Sequence, residues 1–210
     1  MKKEALEKIH RQAAEGDPQA QFELAHFLAS RDSAVEHRKK CVELLRAASE
    51  KGNQYAQYAL GNWYIHGIGV RKNHKKAYEY FLLSAKQGHP IAQYEVGVCL
   101  TAGHGIGKNP RQAIRWFQKA SEQGEVHAQL ALAASYYYGD DVKQDYKTAV
   151  VLYRKAANKG SAEAQYALGC CYEYGDGVKK NVGLAVKWYT KAANQGYSDA
   201  QKALAELRSS

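Results

Sequence analysis

The sequence predicts an all-α fold, a superhelical solenoid of 36-residue helix-turn-helix repeats with about twelve helices. The dipeptide Ala-Gln recurs at one fixed interval, at 20–21, 56–57, 92–93, 128–129, 164–165 and 200–201. Glycine recurs at the same interval, at positions 16, 52, 88, 124, 160 and 196. A fixed period in this range is the signature of stacked repeats, because one unit cannot bury its apolar face alone.

The first helix of each repeat, helix A, contains the Ala-Gln dipeptide. In 54–66, four small or apolar residues recur at helical spacing along one face: Ala56, Leu60, Gly61 and Tyr64. Gly67 suits the left-handed residue that ends such a helix. The register predicts A helices at 18–30, 54–66, 90–102, 126–138 and 162–174, and a last one at about 198–208.

The second helix, helix B, begins after a capping residue. Asn73 occupies the N-cap slot, which also holds Asn109, Asp145 and Asn181 in the later repeats. Helix B is predicted to bury two large and two small side chains per repeat. These are Ala77, Tyr80, Phe81 and Ser84, then Ala113, Trp116, Phe117 and Ala120, then Ala149, Leu152, Tyr153 and Ala156, then Ala185, Trp188, Tyr189 and Ala192.

The period predicts a single domain over 1–210. A half-repeat at 1–16, with its helix at about 2–15, is expected to cap the N-terminal end. Full repeats follow at 17–52, 53–88, 89–124, 125–160 and 161–196. A second half-repeat at 197–210 is expected to cap the C-terminal end, since terminal repeats need a polar outer face.

The unit resembles the Sel-1-like repeat, a branch of the tetratricopeptide-like superfamily. The resemblance lies in Ala164-Gln165, Leu168-Gly169, Tyr172, Gly175-Asp176-Gly177-Val178, Ala185, Trp188-Tyr189, Lys191-Ala192-Ala193 and Gly196. It implies a right-handed superhelix and adaptor roles, such as bacterial signalling, host interaction or assembly of membrane-linked complexes. Two repeats depart from the pattern. Residues 31–34 replace the glycine loop, so a different connection is expected there, and Asp141 replaces a loop glycine but can adopt left-handed geometry.

Composition excludes several classes of protein. No apolar run approaches the roughly 18–20 residues of a membrane span. The basic N-terminus is followed by no apolar segment, so no signal peptide is expected. The four cysteines, Cys41, Cys99, Cys170 and Cys171, have irregular spacing. A reduced, cytoplasmic protein is therefore predicted.

No residue pattern indicates a catalytic, metal or cofactor site. The eight histidines form no zinc-binding pair, and no CxxC motif accompanies them. The glycine loops follow helices and recur at the same slot of several repeats, as at 67–69, 103–107 and 175–177, which favours turns over a phosphate cradle. The sequence therefore predicts no cofactor, no metal and no enzyme. Cysteine-rich members of the resembled family have been linked to β-lactam binding or hydrolysis, but they carry a disulfide in each repeat that this chain lacks.

The net charge of +9 is unevenly distributed. The five predicted A spans contain no lysine or arginine and four acids, Glu23, Glu95, Glu163 and Glu173. The basic residues cluster in the A–B loops and on the B helices. The excess positive charge therefore lies away from the surface that these five A helices would form.

By the resemblance, the A helices line a concave groove. The candidate groove residues are Phe22, His26, Tyr55, Tyr58, Asn62, Ile65, Ile91, Tyr94, His127, Tyr137, Tyr138, Glu163, Tyr166, Glu173 and Tyr174. Tyrosine suits recognition because its ring buries area while its hydroxyl can hydrogen-bond. An aromatic residue follows the Ala-Gln dipeptide in four repeats, and for these four residues packing alone is the alternative explanation: Phe22, Tyr58, Tyr94 and Tyr166.

The leading prediction is a non-enzymatic scaffold or adaptor that binds a peptide or helix of another protein in this groove. The acidic C-terminal end favours a ligand segment with lysine or arginine there. The first alternative is binding of nucleic acid or another anionic surface through the basic convex side. It is disfavoured because aromatics and cations lie on different helices. A β-lactam hydrolase-like activity is the less favoured second alternative. The identity of the partner and the oligomeric state are not predicted.

Overall fold

The structure is a computed structural model that describes residues 3–31 and 35–209. Twelve α-helices and no strand are found in these residues, as predicted. The helices are α1 (Lys3–Ala14), α2 (Pro18–Arg31), α3 (Val35–Glu50), α4 (Gln54–His66), α5 (His74–Lys86), α6 (Pro90–Ala102), α7 (Pro110–Glu122), α8 (Val126–Tyr138), α9 (Tyr146–Asn158), α10 (Ala162–Tyr174), α11 (Val182–Asn194) and α12 (Ser198–Ser209). The even-numbered helices are the predicted A helices.

The chain divides into two compact units, each built from helices that pack on their neighbours along the sequence. Unit 1 comprises the residues up to Asn109, and unit 2 comprises those from Pro110 onwards. In unit 1 each of α1 to α5 packs on the next helix, and in unit 2 the same holds for α7 to α11. Each unit therefore contains three A helices.

The Ala-Gln dipeptide joins each A helix to the B helix before it. Ala56 is fully buried, and the Gln57 amide donates a hydrogen bond to the Ser49 carbonyl at 3.2 Å. The same bond, to the carbonyl eight residues earlier, is made by Gln21, Gln93, Gln129, Gln165 and Gln201. A buried amide that satisfies a carbonyl at a helix end explains why glutamine recurs there.

The loops and caps also follow the predicted register. Asn73, Asp145 and Asn181 cap their B helices by accepting backbone N–H bonds. Gly67 ends α4 with a left-handed φ of 74°. Asp141 adopts a left-handed φ of 58°, which confirms the expectation for this substituted glycine. A different connection was expected at 31–34. Residues 32–34 lie outside the described residues, so this expectation stays a prediction.

Glycines within two A helices are required by aromatic rings on the following B helices. A Cβ at Gly61 would lie 2.4 Å from two ring carbons of Phe81, and one at Gly169 would lie 2.5 Å from Tyr189 Cε1. Neither distance is compatible with an unshifted ring. The large-beside-small packing predicted from the sequence is present at both places.

The burial prediction for the B helices was wrong at one recurring position. Tyr80, Trp116 and Trp188 are half-buried, whereas the remaining members of the four predicted sets are buried. In two cases a lysine of the same helix covers the ring. Lys119 Nζ lies 4.8 Å from the Trp116 ring centroid, and Lys191 Nζ lies 4.2 Å from that of Trp188. These aromatics therefore lie at the edge of the core, where a cation can reach them.

Candidate functional site

The fifteen candidate groove residues all lie at the surface, in two sets. Unit 1 contains Phe22, His26, Tyr55, Tyr58, Asn62, Ile65, Ile91 and Tyr94, which we call the unit 1 face. Unit 2 contains His127, Tyr137, Tyr138, Glu163, Tyr166, Glu173 and Tyr174, which we call the unit 2 face. None of the fifteen side chains is buried, and seven are exposed: His26, Tyr55, Ile91, His127, Tyr138, Glu163 and Tyr174.

Aromatic rings in the unit 1 face form a continuous run from α2 to the start of α6. The Phe22 and Tyr55 ring centroids are 5.8 Å apart, which joins α2 to α4. Tyr55 meets the His89 ring edge-on at 5.3 Å, and Tyr58 stacks on the same imidazole at 4.9 Å. Tyr55 remains 46% exposed at the centre of this run. The surface therefore offers aromatic area that is already held in place.

His89 belongs to this aromatic run, although it was not among the candidates. Its ring is buried, and its Nδ1 accepts the Ala92 N–H at 3.1 Å, which makes His89 the N-cap of α6. Burial lowers the pKa of the imidazole below its usual value. The signal that could have identified it is the register, because Asn53 fills the same capping slot one repeat earlier.

A mainly apolar pocket lies at the α2 end of the unit 1 face. Its volume is about 360 Å³, and it is lined by Ile9, Phe22, Glu23, His26, Phe27 and Ser30. The Phe22 and His26 rings are 6.2 Å apart and form one wall. The opposite end of the face carries Ile91, which is 42% exposed on α6. Apolar area is thus available at both ends of the aromatic run.

Tyr137 in the unit 2 face is held by a carboxylate from the A–B loop of the following repeat. Its hydroxyl donates to Asp176 at 2.6 Å, and its ring contacts those of Tyr138 and Tyr146 at 5.0 and 5.1 Å. Burial and this hydrogen bond raise the pKa of the phenol. Tyr137 therefore joins α8 to the loop after α10, and its hydroxyl already has a partner.

Glu173, another member of the unit 2 face, also has a partner within the unit. The buried Tyr189 hydroxyl donates to the Glu173 carboxylate at 2.6 Å and approaches Cys170 Sγ at 3.3 Å. The Tyr166 ring lies between those of Tyr189, at 5.6 Å, and Tyr197, at 5.3 Å. Burial raises the phenol pKa of both Tyr166 and Tyr189. These contacts show that Tyr166 and Glu173 participate in packing.

Two tyrosines of the unit 2 face are more exposed than Tyr55 and Ile91 of the unit 1 face. Tyr138 is 68% exposed, and Tyr174 is 67% exposed, each at the last position of its A helix. Glu163, in the first turn of α10, is also exposed. Unit 2 thus presents two open aromatic rings together with carboxylate charge.

The positive charge lies outside both faces. Apart from Arg31, the last residue of α2, the helices α2, α4, α6, α8 and α10 contain no lysine or arginine. The charge separation predicted from the sequence therefore agrees with the observed helix boundaries. Both faces are neutral or acidic surfaces of a basic chain.

The cysteines lie in surroundings that favour the thiol form. Cys41, Cys99 and Cys171 are buried, and burial raises the pKa of Cys99 to about 11 and that of Cys171 to about 12. Burial also raises the pKa of the half-buried Cys170 thiol. A thiol with a raised pKa is a weak nucleophile at neutral pH.

The residues that the structure describes contain no group of three His, Cys, Asp or Glu side chains placed to hold a metal ion. Within the same residues, no helix combines the length and the apolar character needed to cross a membrane.

The sequence pattern of the Sel1 repeat matches five consecutive segments: 18–53, 54–89, 90–125, 126–161 and 162–197. These five segments include every A–B pair from α2 to α11. No curated protein sequence gives a match.

Solved structures show the same fold. A protective antigen of uropathogenic Escherichia coli with an SLR fold is 32% identical, with a TM-score of 0.90, over 97% of this chain and 44% of that one. A Sel1 repeat protein from Oxalobacter formigenes is 31% identical, with a TM-score of 0.86, over 96% of this chain and 59% of its own. An immunity protein from Pseudomonas aeruginosa is 28% identical, with a TM-score of 0.54, over 87% of this chain and 67% of its own. The chain thus spans about half the length of the first two proteins.

Proposed function

Because the chain belongs to the Sel1 repeat family, whose repeats generally build non-enzymatic protein-interaction scaffolds, we propose that its A-helix faces bind segments of another protein. The observation that carries the proposal is the aromatic run Phe22–Tyr55–His89–Tyr58 in unit 1. It combines exposed ring area with fixed geometry. Aromatic anchors of this kind dominate protein interfaces.

The mechanism is binding to a pre-formed surface. The rings of the run are packed against one another before a ligand arrives, so little side-chain entropy is lost on binding. An amphipathic helix or an extended peptide could place apolar side chains on Phe22 and Ile91 and cover Tyr55 between them. The absence of cations from the face favours a ligand segment that is apolar at this point.

The unit 2 face favours a positively charged ligand segment, in contrast to the apolar segment that suits unit 1. Tyr138 and Tyr174 supply exposed rings, while Glu163 supplies negative charge close to the start of α10. A lysine or arginine in the bound segment would meet that carboxylate and could also stack on a tyrosine ring. We therefore propose a basic segment for unit 2.

Paired serine substitutions at each face test this function. Tyr55→Ser/Ile91→Ser removes exposed apolar area from unit 1, and Tyr138→Ser/Tyr174→Ser does so in unit 2. Leu83→Ser/Val151→Ser is the matched control, since Leu83 and Val151 are 47% and 50% exposed on B helices. Each immobilised variant is incubated with extract of the source cells, and the captured proteins are identified by mass spectrometry.

We expect to identify proteins that the wild type and the control variant capture but that one of the face variants does not. A set of captured proteins that is the same for all four forms would contradict it. Tyr137 is left intact in this experiment, because its substitution would also remove the hydrogen bond to Asp176.

A further inference from the structure

A basic pocket in unit 1 lies outside the A-helix face. It is formed by α3, the end of α4, the loop that follows α4 and the first turn of α5. Its volume is about 560 Å³, and its lining comprises Arg46, Tyr64, Gly69, Val70, Arg71, Lys72, Asn73 and Lys76. This volume is in the usual range of small-molecule sites, roughly 300–1,000 Å³.

Four cationic side chains and no acidic side chain line this pocket. The ion pairs found among the described residues, Lys40–Glu43 and Lys202–Asp199, involve none of the four cations. Glu50 and Glu79 act electrostatically on the neighbouring Tyr80, but neither lines the pocket. The lining of the pocket is therefore strongly positive, and neither of these ion pairs neutralises it.

Arg46 is held in position by a buried tyrosine. Tyr64 is 4% exposed and stacks on Tyr80, with ring centroids 5.6 Å apart and an interplanar angle of 9°. Its hydroxyl accepts a hydrogen bond from Arg46 Nη2 at 3.1 Å, and Lys76 Nζ lies 5.5 Å from its ring centroid. A guanidinium has five N–H donors, so this bond fixes the group and leaves donors for a ligand.

The same arrangement recurs three repeats later, in unit 2. Arg154 Nη2 donates to the Tyr172 hydroxyl at 2.9 Å. Lys179 and Lys180 occupy the slots of Arg71 and Lys72, whereas Leu184 replaces Lys76. The intervening B helices carry Leu82 and Gln118 in the arginine slot. The repeat can therefore fold without this arginine, and the arginine occurs where the following loop is dibasic.

We propose that the pocket around Arg46, Arg71, Lys72 and Lys76 binds a compact oxyanion with more than one negative charge, such as a phosphate monoester or pyrophosphate group. Four cations in the lining of one pocket match such an anion better than the single charges of a nucleic-acid backbone, which need a track of cations. Arginine adds bidentate geometry toward phosphate oxygens. This proposal does not depend on the A-helix faces.

Calorimetric titration of the full chain with inorganic pyrophosphate tests the site. Arg71→Ser/Lys72→Ser is expected to weaken binding by about tenfold or more, since two charge-assisted contacts are lost. Tyr64→Phe is expected to weaken it about threefold without changing the net charge, because Arg46 loses its anchor. Circular dichroism and thermal melting establish that each variant is folded.

Lys8→Ser/Lys86→Ser is the matched control, because it also removes two exposed positive charges from unit 1 but none from the pocket. Its affinity for pyrophosphate is expected to stay within about twofold of the wild type. Equal weakening in both double variants would overturn the proposal, as would no detectable binding to the wild type. A double-stranded oligonucleotide that binds more tightly than pyrophosphate, and equally to Tyr64→Phe, would also overturn it and favour a nucleic-acid surface.

Discussion

The two units use the same A-helix positions for different purposes. In the unit 1 face, rings contact rings: Phe22 meets Tyr55, and Tyr58 stacks on His89 at 4.9 Å. In unit 2, tyrosine hydroxyls are bound by carboxylates, Tyr137 by Asp176 and Tyr189 by Glu173, both at 2.6 Å. Ring contacts thus hold the aromatic run of unit 1, whereas unit 2 adds hydrogen bonds from tyrosine hydroxyls to carboxylates to its own ring contacts.

This difference shows that a shared register does not specify a shared role. Tyr58 and Tyr166 occupy equivalent positions and each meets rings at the same two slots, Phe81 and His89 in unit 1, and Tyr189 and Tyr197 in unit 2. Tyr189 also brings a hydroxyl, which Phe81 lacks, to the Glu173 carboxylate. The partner of each ring comes from another helix or loop, where the sequence is less regular. Four predictions about the two units follow, from the largest expected effect to the smallest.

Alanine at the helical glycines should give the largest effect. Gly61→Ala forces a shift of the Phe81 ring and is expected to cost about 2 kcal/mol in the free energy of unfolding. Gly169→Ala is expected to cost about 3 kcal/mol, because the Tyr189 ring is also tied to Glu173 and can move less. Urea denaturation measures both values.

Gly183→Ala serves as the control for these two substitutions. A Cβ at Gly183 would approach only the Asn181 side chain, at 3.4 Å. Alanine is expected to stabilise α11 by about 0.5 kcal/mol, since glycine is the poorer helix former. A cost at Gly183 as large as that at Gly61 would contradict the packing explanation.

Removal of one tyrosine hydroxyl should affect the stability of unit 2, where the hydroxyl is hydrogen-bonded to a carboxylate, more than that of unit 1, where the ring contacts remain. Tyr137→Phe loses the hydrogen bond to Asp176 and is expected to destabilise the chain by about 1–2 kcal/mol. Tyr55→Phe keeps the ring contacts of unit 1 and is expected to change stability by less than about 0.5 kcal/mol. Equal effects in thermal or urea unfolding would show that the units do not differ in this respect.

His89 should make stability depend on pH. Burial lowers its pKa from the ordinary 6.5, so the unfolded chain takes up the proton more readily than the folded chain does. The free energy of unfolding should therefore fall as the pH drops below about 6.5, until the lower pKa of the folded state is passed.

The variant His89→Asn tests this assignment, because asparagine caps the helix at the equivalent position 53 but does not titrate. Its free energy of unfolding, measured by denaturant titration between about pH 5 and pH 8, should depend less on pH than that of the wild type. An unchanged pH dependence would assign the effect to another group.

The smallest effect is expected from the exposed carboxylate of unit 2. Glu163→Gln should weaken binding of a basic segment about two- to fivefold at low salt and less at high salt, because exposed ion pairs are strongly screened. Binding of the protein lost by Tyr138→Ser/Tyr174→Ser provides the measurement. An affinity that is independent of Glu163 at low salt would place the basic segment elsewhere.

The fold could be predicted from the sequence because its determinants are local and repeated. Gln57, Asn73 and Gly67 each act within a few residues of their own position, and the 36-residue period shows each of them several times. The half-burial of Trp116 and Trp188 could not be predicted in this way, because it depends on how far each aromatic lies from the edge of the core.

The candidate faces were predicted less completely for a related reason. None of the fifteen side chains is buried, but their role in binding stays a prediction. The A-helix register did not identify His89, whose ring enters the face from the N-cap of the following A helix. Nor did it identify the bonds of Tyr137 and Glu173, because Asp176 and Tyr189 lie in a loop and on a B helix.

The central claim, that the A-helix faces bind protein, is tested most directly by site-specific photo-crosslinking. A photoreactive phenylalanine is placed at Tyr55 or Tyr174 on the faces, and at Leu83 or Val151 on the B helices. Tyr55 and Leu83 are 46% and 47% exposed, so accessibility does not distinguish that pair. The account predicts protein adducts from positions 55 and 174 and none from 83 and 151. Adducts that form from positions 83 and 151 but not from 55 and 174 would contradict it.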